Sequence, residues 1–252
     1  MEEMSFWDHL EALRWCIFRV IIVLVLVLVG CFIALPHVFD SWILGPAHAD
    51  FFVYRWFSFM YGSGTDVELI NINVASQFLT HVTTSIWISL VIVFPYLMYQ
   101  TWVFVKPALY PGEIKGVRSA FSGGTFLFYL GCAVGYLIVF PVTFKFLTQY
   151  QVSQEITNQI SLNSYMSIFL TMIFLMGITF ELPVLLWLLS KLGIVTKTFL
   201  RKSRKYAVVI LLTLAALITP TGDPFTLMVV FGPLYLLYEF SIFIVKDVEA
   251  EV

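Results

Sequence analysis

Long runs of apolar residues without any charged side chain alternate with short polar segments along this chain. Because a helix needs about 20 mainly apolar residues to cross the hydrocarbon layer of a membrane, these runs predict membrane-spanning helices. The six predicted helices cover approximately residues 15–35, 77–102, 121–140, 165–189, 206–218 and 225–245. The chain is therefore predicted to be an all-α integral membrane protein that forms a single membrane domain over residues 1–252.

The composition supports a location in the membrane. Hydrophobic residues make up 60% of the 252 residues and charged residues only 12%, whereas soluble domains carry about 25% charged residues. The three cysteines, Cys16, Cys31 and Cys132, lie in or beside apolar runs without CxxC spacing, which argues against a disulfide framework or a zinc site. We expect them to be small packing residues, and we expect no metal ion, no cofactor and no nucleic-acid partner.

Lysine and arginine residues are concentrated on one side of the predicted bundle. If the amino terminus is cytoplasmic, twelve of the 14 basic residues fall in cytoplasmic segments, and only Arg55 and Lys145 fall outside. The basic cluster at residues 201–205 dominates this bias. Because cytoplasmic loops carry an excess of lysine and arginine, both termini are predicted to face the cytoplasm.

Two segments predicted to lie on the outer side have unusual lengths. The first loop, residues 36–76, is rich in aromatic residues and is too long for a structureless connection, so we expect it to pack as a cap over the helix ends. The fifth helix has only about 13 apolar residues, fewer than a bilayer requires, and residues 219–224 force a turn after it. We expect the bilayer to be locally thinner there, or the helix to line a polar cavity.

Two acidic residues fall inside predicted helices, Glu181 in the fourth and Glu239 in the sixth. A charge at the centre of the bilayer costs about 2.5–3.5 kcal/mol, so both are candidates for a function. Glu239 lies within two turns of Lys246 and is either an interfacial acid with a basic neighbour or a functional residue. Glu181 has no basic residue within one turn, so it is either protonated or faces a hydrated cavity. Pro183 is expected to kink the fourth helix beside it.

Five short motifs follow one another along the chain. They are Asp8-His9-Leu10-Glu11-Ala12-Leu13-Arg14, Pro107-Ala108-Leu109-Tyr110 with Glu113, Phe180-Glu181-Leu182-Pro183-Val184, Thr219-Pro220 with Asp223, and Pro233-Leu234-Tyr235-Leu236-Leu237-Tyr238-Glu239. Each motif is weak alone. In this order, and on these sides of the predicted membrane, they make nearly the whole chain similar to the TatC family, the receptor subunits of the twin-arginine protein translocase.

The resemblance implies a receptor and not an enzyme. TatC proteins are concave, glove-shaped bundles, here with short helices 5 and 6, and they bind signal peptides that carry a pair of arginines. With small single-span partners of the TatA and TatB types, they pass folded proteins across the cytoplasmic (inner) membrane of prokaryotes, using the proton-motive force. The resemblance also implies several copies of the receptor in one complex.

The resemblance assigns roles to residues in these motifs. Glu113 occupies the position of the main acid that recognises the signal peptide, and a carboxylate suits the planar fork of an arginine. The other residues implied in signal-peptide binding are Glu11, Asp8, His9, Leu13, Arg14, Pro107, Leu109 and Tyr110. Glu181 and Glu239 are implied as functional polar residues within the membrane, and Pro220 and Asp223 as part of an outer hairpin where partners dock.

One position departs from the pattern of the family at the predicted recognition site. The family carries an acid immediately before Leu13, where this chain has Ala12. Either Glu11 or Asp8 takes over the contact with the second arginine, or Glu113 works largely alone. In the last case we expect the chain to tolerate more variation in the arginine pair.

Two further assignments stay open. His9, Leu13 and Arg14 are equally compatible with an amphipathic lead-in to the first helix, in which Leu10 and Leu13 pack and Arg14 lies at the lipid headgroups. Leu227 stands where the family has a glutamine, four residues after the hairpin aspartate, and this weakens the case for a polar docking site at that point.

Two other classes of function have less support in the sequence. A secondary transporter or ion channel with Glu181 as its ion site predicts internal repeats or several intramembrane acids and bases, and the sequence shows one deep acid and no repeat. A membrane enzyme needs a convergent catalytic set, whereas His81, with Ser85 one turn on, is the single candidate base inside a predicted helix. We reject the enzyme and keep the transporter as the alternative.

Overall fold

The computed structural model of the chain describes residues 6–56, 66–108, 112, 114–153, 155, 158–219 and 221–245, most of which are helical. The α-helices are, in chain order, α1 (Phe6–Val38), α2 (Phe52–Trp56), α3 (Ser76–Val105), α4 (Ile114–Val134), α5 (Phe140–Gln149), α6 (Leu162–Thr179), α7 (Leu182–Lys191), α8 (Lys197–Lys202), α9 (Arg204–Ile218) and α10 (Pro224–Ile244). Two π-helical turns, Phe39–Ile43 and Gly135–Val139, and two 3-10 turns, Gly45–Ala47 and Lys106–Ala108, extend or connect these helices.

Five helical segments in the described part of the chain are long and apolar enough to cross a membrane. They are His9–Arg55, Ser76–Val105, Ile114–Gln149, Leu162–Lys191 and Pro224–Ile244. The molecule is therefore a multi-pass membrane protein. The fifth predicted helix corresponds to α9, whose 15 residues extend about 22 Å at 1.5 Å per residue. The next helix, α10, has 21 residues, so the expectation that it too is short is wrong.

Helix α1 packs mainly along α3 and turns most of its remaining surface outward. Near the end of α1, Pro36 has no N–H group for the carbonyl of Phe32 one turn earlier. His81 of α3 donates from Nε2 to that carbonyl at 2.8 Å, and its ring stacks on the Phe32 ring with the centroids 4.0 Å apart. His81 thus joins two helices and satisfies a carbonyl group that α1 leaves without a partner.

The segment after α1 folds over the end of the bundle where α1 ends and α3 begins, which we call the cap end. Phe51, Val53 and Tyr54 are buried there against the second π-helical turn and the start of α5. The hydroxyl group of Tyr136, in that π-helical turn, donates to the carbonyl of Trp42 at 2.7 Å. The aromatic side chains of Phe51 and Tyr54 are therefore packed inside the protein.

Two short strands close the same end. Strand β1 (Leu69–Ile70) pairs in parallel with strand β2 (Ile160–Ser161) just before α6. The buried Tyr165 hydroxyl donates to the carbonyl of Ile43 at 2.6 Å, so α6 also holds the segment that follows α1. In its described parts, the first loop forms the packed cap that the sequence predicts.

Helices α4 and α6 approach each other through glycines. A Cβ atom added at Gly131 would lie 2.6 Å from the carbonyl oxygen of Met176, and one added at Gly177 would lie 2.6 Å from Sγ of Cys132. These separations are too short for any larger side chain. Small residues at such positions let two membrane helices make close van der Waals contact between their backbones.

A break divides the fourth predicted helix beside its acidic residue. Helix α6 ends at Thr179 and α7 begins at Leu182, with Pro183 in the first turn of α7. Because Pro183 has no N–H group to donate to the carbonyl of Thr179, the α-helical hydrogen bonding stops there, and the predicted kink is confirmed. The Glu181 amide donates instead to the Ile178 carbonyl at 3.0 Å, in a tighter turn.

Helix α8 is a short connecting helix held against α10. It begins at a side-chain cap, in which Oγ1 of Thr196 accepts a hydrogen bond from the Phe199 amide at 3.1 Å. The Tyr238 hydroxyl of α10 donates to the carbonyl of Leu200 at 2.7 Å, and Leu200 is buried. One side of α8 is thus fixed to the bundle.

Candidate functional site

Several of the predicted site residues cannot be placed in full. Glu113, Leu109, Tyr110 and Pro220 lie outside the described residues, and so does the side chain of Asp8, whose backbone belongs to α1. The site is therefore built from the residues that surround these positions.

The start of α1 lies against the end of α3. The rings of His9 and Phe104 are in tilted contact, with centroids 4.4 Å apart. Beside them is a cavity of about 250 Å³, the α1–α3 cavity, lined by His9, Ala12, Trp15, Cys16, Arg19, Gln100, Val103, Phe104 and Pro107. The motif at the start of α1 and Pro107, the first residue of the second predicted motif, therefore meet at one end of the bundle. We call it the α1 end.

The chain around Glu113 is placed at this same end. Gly112 is exposed in a turn, and Ile114 begins α4. Pro107 is exposed and lines the cavity from the 3-10 turn that follows α3. Glu11 is exposed on α1. The described neighbours of Glu113 thus share one end of the molecule with the acidic start of α1.

Helix α1 presents its motif residues in two directions. His9 and Ala12 line the α1–α3 cavity, whereas Leu13 and Arg14 border a separate cavity of about 280 Å³ with Leu10, Ile17, Phe18 and Ile21. The Arg14 guanidinium group lies over the Phe18 ring, 5.6 Å from its centroid, a favourable contact between a cation and an aromatic face. Leu13 and Arg14 therefore lie away from the α1–α3 cavity, on another face of α1.

Two polar residues that line the α1–α3 cavity are absent from the sequence prediction. Gln100 is 5% exposed, and its amide donates to the hydroxyl group of Tyr96 at 2.7 Å. Arg19 is exposed and adds a cation to the cavity wall. The sequence held a signal for Gln100, because an amide group inside an apolar run needs a hydrogen-bond partner. It held none for Arg19, which looks like an ordinary residue near the end of a helix.

Glu181 points at a glycine of the neighbouring helix. A Cβ atom added at Gly124 of α4 would lie 2.6 Å from Oε2 and 3.3 Å from Oε1 of Glu181, so the carboxyl group rests on the Gly124 backbone. Oε1 is buried, and none of the described residues donates a hydrogen bond to it. A buried polar group left without a partner costs about 1–3 kcal/mol. The fold therefore holds this acid at a cost, in the space beside the Gly124 backbone.

Glu239 has polar partners among the described residues, unlike Oε1 of Glu181. Arg204, the first residue of α9, donates to Oε2 at 2.7 Å, and the hydroxyl group of Tyr235 on α10 donates to Oε1 at 3.1 Å. The Arg204 and Glu239 side chains are 50% and 23% exposed, which places the pair at the edge of the bundle. Lys246, the basic neighbour in the sequence, lies outside the described residues, and the cation found here comes from another helix.

Asp223 caps the start of α10 at the cap end. Its Oδ1 accepts a hydrogen bond from the Thr226 amide at 2.7 Å, and its Oδ2 accepts one from the Thr221 hydroxyl at 2.7 Å. Partial burial acts to raise the pKa of Asp223, but the hydrogen bonds from Thr226 and Thr221 outweigh it and lower the pKa below its usual value. The structure thus gives Asp223 a structural role, with or without a partner at the hairpin.

Comparison with known proteins identifies the family to which this chain belongs. The model of the family described as Sec-independent protein translocase protein (TatC) matches residues 8–233. The chain belongs to the TatC family. A TatC protein of Blattabacterium sp. subsp. Periplaneta americana is 36% identical over 96% of this chain and 95% of its own length. A TatC protein of Deinococcus radiodurans is 34% identical over 94% of this chain and 83% of its own length.

Solved structures agree with the TatC assignment. A crystal structure of the twin-arginine translocase receptor TatC in the detergent DDM superposes with a TM-score of 0.78 and is 31% identical, covering 94% of this chain and 99% of the other. A second crystal structure of that receptor gives a TM-score of 0.73 at the same identity. This chain is therefore a component of a Sec-independent protein translocase.

Proposed function

We propose that this chain is the receptor subunit of a twin-arginine translocase. It binds twin-arginine signal peptides on the cytoplasmic side of a prokaryotic inner membrane. With single-span partners of the TatA and TatB types, and in a complex holding several receptor copies, it passes folded proteins across that membrane at the expense of the proton-motive force. The chain forms one membrane domain over residues 1–252, a concave bundle with six crossings.

The distribution of charge supports six crossings with both termini inside. Basic residues accompany the ends of helices at the α1 end, among them Arg19, Lys106, Lys115, Lys191 and Arg204. Cytoplasmic loops carry such an excess. With α9 as a crossing, every one of these residues falls on the cytoplasmic side, and α10 returns the chain to that side. Five crossings, with α9 left out, would put residue 223 on the same side of the membrane as residue 204, whereas α9 carries the chain from the α1 end to the cap end.

One observation carries the proposed recognition site: the contact between His9 and Phe104 beside the α1–α3 cavity. It joins the acidic start of α1 to the segment that leads into Glu113. A carboxylate there pairs with the planar fork of an arginine through two charge-assisted hydrogen bonds. A lysine has a compact ammonium group and cannot reproduce that pairing. The site therefore fits a peptide that carries arginines.

The two acids in the predicted membrane helices and the outer hairpin are also proposed to take part in transport. Glu181, with an oxygen that lacks a hydrogen bond from the described residues, is proposed to meet a polar group of a partner or precursor within the membrane. Glu239 is proposed to act at the membrane edge through its pairing with Arg204. Pro220 and Asp223 are proposed to form part of a docking hairpin at the cap end.

The recognition site can be tested with a photoreactive group at Glu113 in the chain reconstituted with its single-span partners. We expect crosslinks to a precursor with two arginines and few to the same precursor with two lysines. Glu113→Ala should raise the Kd for the signal peptide about 10- to 100-fold, because a hydrogen bond to a charged group contributes roughly 1.5–3 kcal/mol.

Glu155→Ala is the matched control, since it removes an exposed glutamate beyond α5, toward the other end of the bundle. It should leave both binding and export unchanged. Equal crosslinking to the arginine and lysine precursors would contradict specific recognition at Glu113. So would full export of a folded reporter by Glu113→Ala in cells that lack their own receptor.

A further inference from the structure

The connection between α7 and α9 carries a dense group of cations. From residue 191 to residue 206 the sequence has six basic residues and no acidic one. Among them, Lys191, Arg201, Lys202 and Lys205 are exposed, and we call these four the basic patch. Arg204 is left out because its charge is paired with Glu239. The patch therefore presents about four positive charges that form no ion pair with any acid in the described part of the chain.

The fold holds this patch where helices leave the membrane. Lys191 is the last residue of the apolar α7, and Lys205 is the second residue of α9. Between them, α8 is fixed to α10 through the buried Leu200 and the hydrogen bond from Tyr238. Arg201 and Lys202 are therefore carried on a supported helix at the same level as the helix ends.

Apolar side chains are interleaved with the cations. More than half of the surface is exposed on each of Leu192, Ile194, Phe199 and Tyr206. Lys205 lies over the Tyr206 ring, 5.1 Å from its centroid, and Lys191 lies over the Trp187 ring at 5.8 Å. Exposure of such apolar side chains to water is unfavourable. The boundary between lipid headgroups and acyl chains, in contrast, accommodates apolar and aromatic groups beside basic ones.

We propose that the basic patch binds the headgroups of anionic phospholipids in the membrane leaflet at the α1 end. Clusters of lysine and arginine next to a membrane helix attract anionic headgroups, and the interleaved apolar residues fit the acyl chains of the same lipid. An acidic protein would satisfy the charges but would leave these apolar side chains without a matching surface. This inference does not depend on which peptide the α1–α3 cavity binds.

The test uses the full chain, purified and placed in nanodiscs of phosphatidylcholine with and without phosphatidylglycerol. Lipids retained on the protein are then counted by native mass spectrometry. The unmodified chain should retain phosphatidylglycerol preferentially. Arg201→Gln and Lys202→Gln should each lower this preference about fivefold, the effect of one cation near a charged surface. Raising the salt concentration should weaken it further by screening.

Two variants separate the patch from general effects of charge and folding. Arg55→Gln removes one exposed cation at the cap end and should leave the lipid preference unchanged, while Lys202→Arg keeps the charge and should keep the preference. Unchanged retention of phosphatidylglycerol by the double variant Arg201→Gln/Lys202→Gln would overturn the proposal. If that variant instead loses binding of polyglutamate alone, the patch serves an acidic protein and the lipid site is refuted.

Discussion

Two pairs of antiparallel helices in this molecule are held together in different ways. Helices α4 and α6 touch where glycines bring the backbones together, as at Gly131 and Gly177. Helices α9 and α10 are joined by a short hairpin and by polar contacts at its two ends, the cap made by Asp223 and the pair between Arg204 and Glu239. The first pair depends on the absence of side chains at its glycines. The second pair adds hydrogen bonds and an ion pair at the ends of the hairpin to its apolar packing.

The difference explains why the two intramembrane acids have such different surroundings. Glu181 occupies a gap that a glycine leaves between packed helices, where few polar groups are available. Glu239 lies beside the start of another helix, where an arginine and a tyrosine reach it. The close backbone contact leaves Oε1 of Glu181 without a hydrogen bond from the described residues, whereas the edge of the hairpin supplies partners to Glu239. The same residue type is therefore held at a cost in one region and contributes to stability in the other.

The largest effect should come from adding one methyl group to the glycine contact. Gly131→Ala places a Cβ atom 2.6 Å from a backbone carbonyl oxygen of α6, which can move only with its helix. We expect the free energy of unfolding to fall by about 1–3 kcal/mol, the usual cost of overpacking. Thermal unfolding in detergent, followed by circular dichroism, measures it.

Gly124→Ala is the matched comparison on the same helix. Its added Cβ atom would meet the carboxyl end of Glu181, which is flexible and can turn away, so the loss of stability should be less than about 1 kcal/mol. If the two variants are equally destabilised, the contact at Gly131 is not the tight one, and the contrast between the two regions fails.

An intermediate effect is expected at the cap of α10. Asp223→Ala removes the side chain that accepts the Thr226 amide and should cost about 1 kcal/mol, while Asp223→Asn should keep most of the cap. Because the pKa of Asp223 is lowered from 3.8 in the folded chain, its ionised form adds stability above that value. This stability is lost as the pH falls through the lower, folded-state pKa.

Unfolding at a series of acidic pH values checks this sign. The stability advantage of the unmodified chain over Asp223→Asn should shrink as the pH falls below about 4. An advantage that stays constant across that range would mean that the carboxylate charge contributes nothing to the cap.

The smallest effect concerns the acids themselves. A double-mutant cycle between Arg204→Gln and Glu239→Gln should give a coupling energy of about 0.2–1 kcal/mol, because the pair is partly exposed. Glu181→Gln keeps the volume of the side chain and removes no ion pair, so it should leave thermal stability nearly unchanged. A loss for Glu181→Gln larger than that for Glu239→Gln would reveal a partner of Glu181 and reverse the comparison.

Local signals in the sequence account for much of this fold. The apolar runs locate the helices, Pro183 marks the break beside Glu181, and the aromatic residues of the first loop indicate the cap. Each of these depends on a residue and its near neighbours in the chain. The third predicted helix ends at residue 140, whereas the helical segment continues to Gln149. After the π-helical turn, Pro141 lies in the first turn of α5, where its missing N–H group costs nothing.

Local signals in the sequence do not predict the contacts that define the candidate sites. Nothing near Glu181 in the sequence points to Gly124, and nothing near Glu239 points to Arg204, since tertiary packing brings both partners from other helices. The sequence instead suggested Lys246 as the partner of Glu239, because Lys246 is the nearest basic residue along the chain. The α1–α3 cavity likewise follows from how two helices meet, although its two motifs were recognisable separately.

The short helix α9 has an electrical consequence. A bilayer that thins beside α9 to match the length of this helix is about 22 Å thick there, compared with about 30 Å elsewhere. A given membrane voltage then falls over a shorter distance, so the local field is about a third stronger than in the surrounding membrane. Mobile charges that pass beside this hairpin would be driven harder there than anywhere else around the protein.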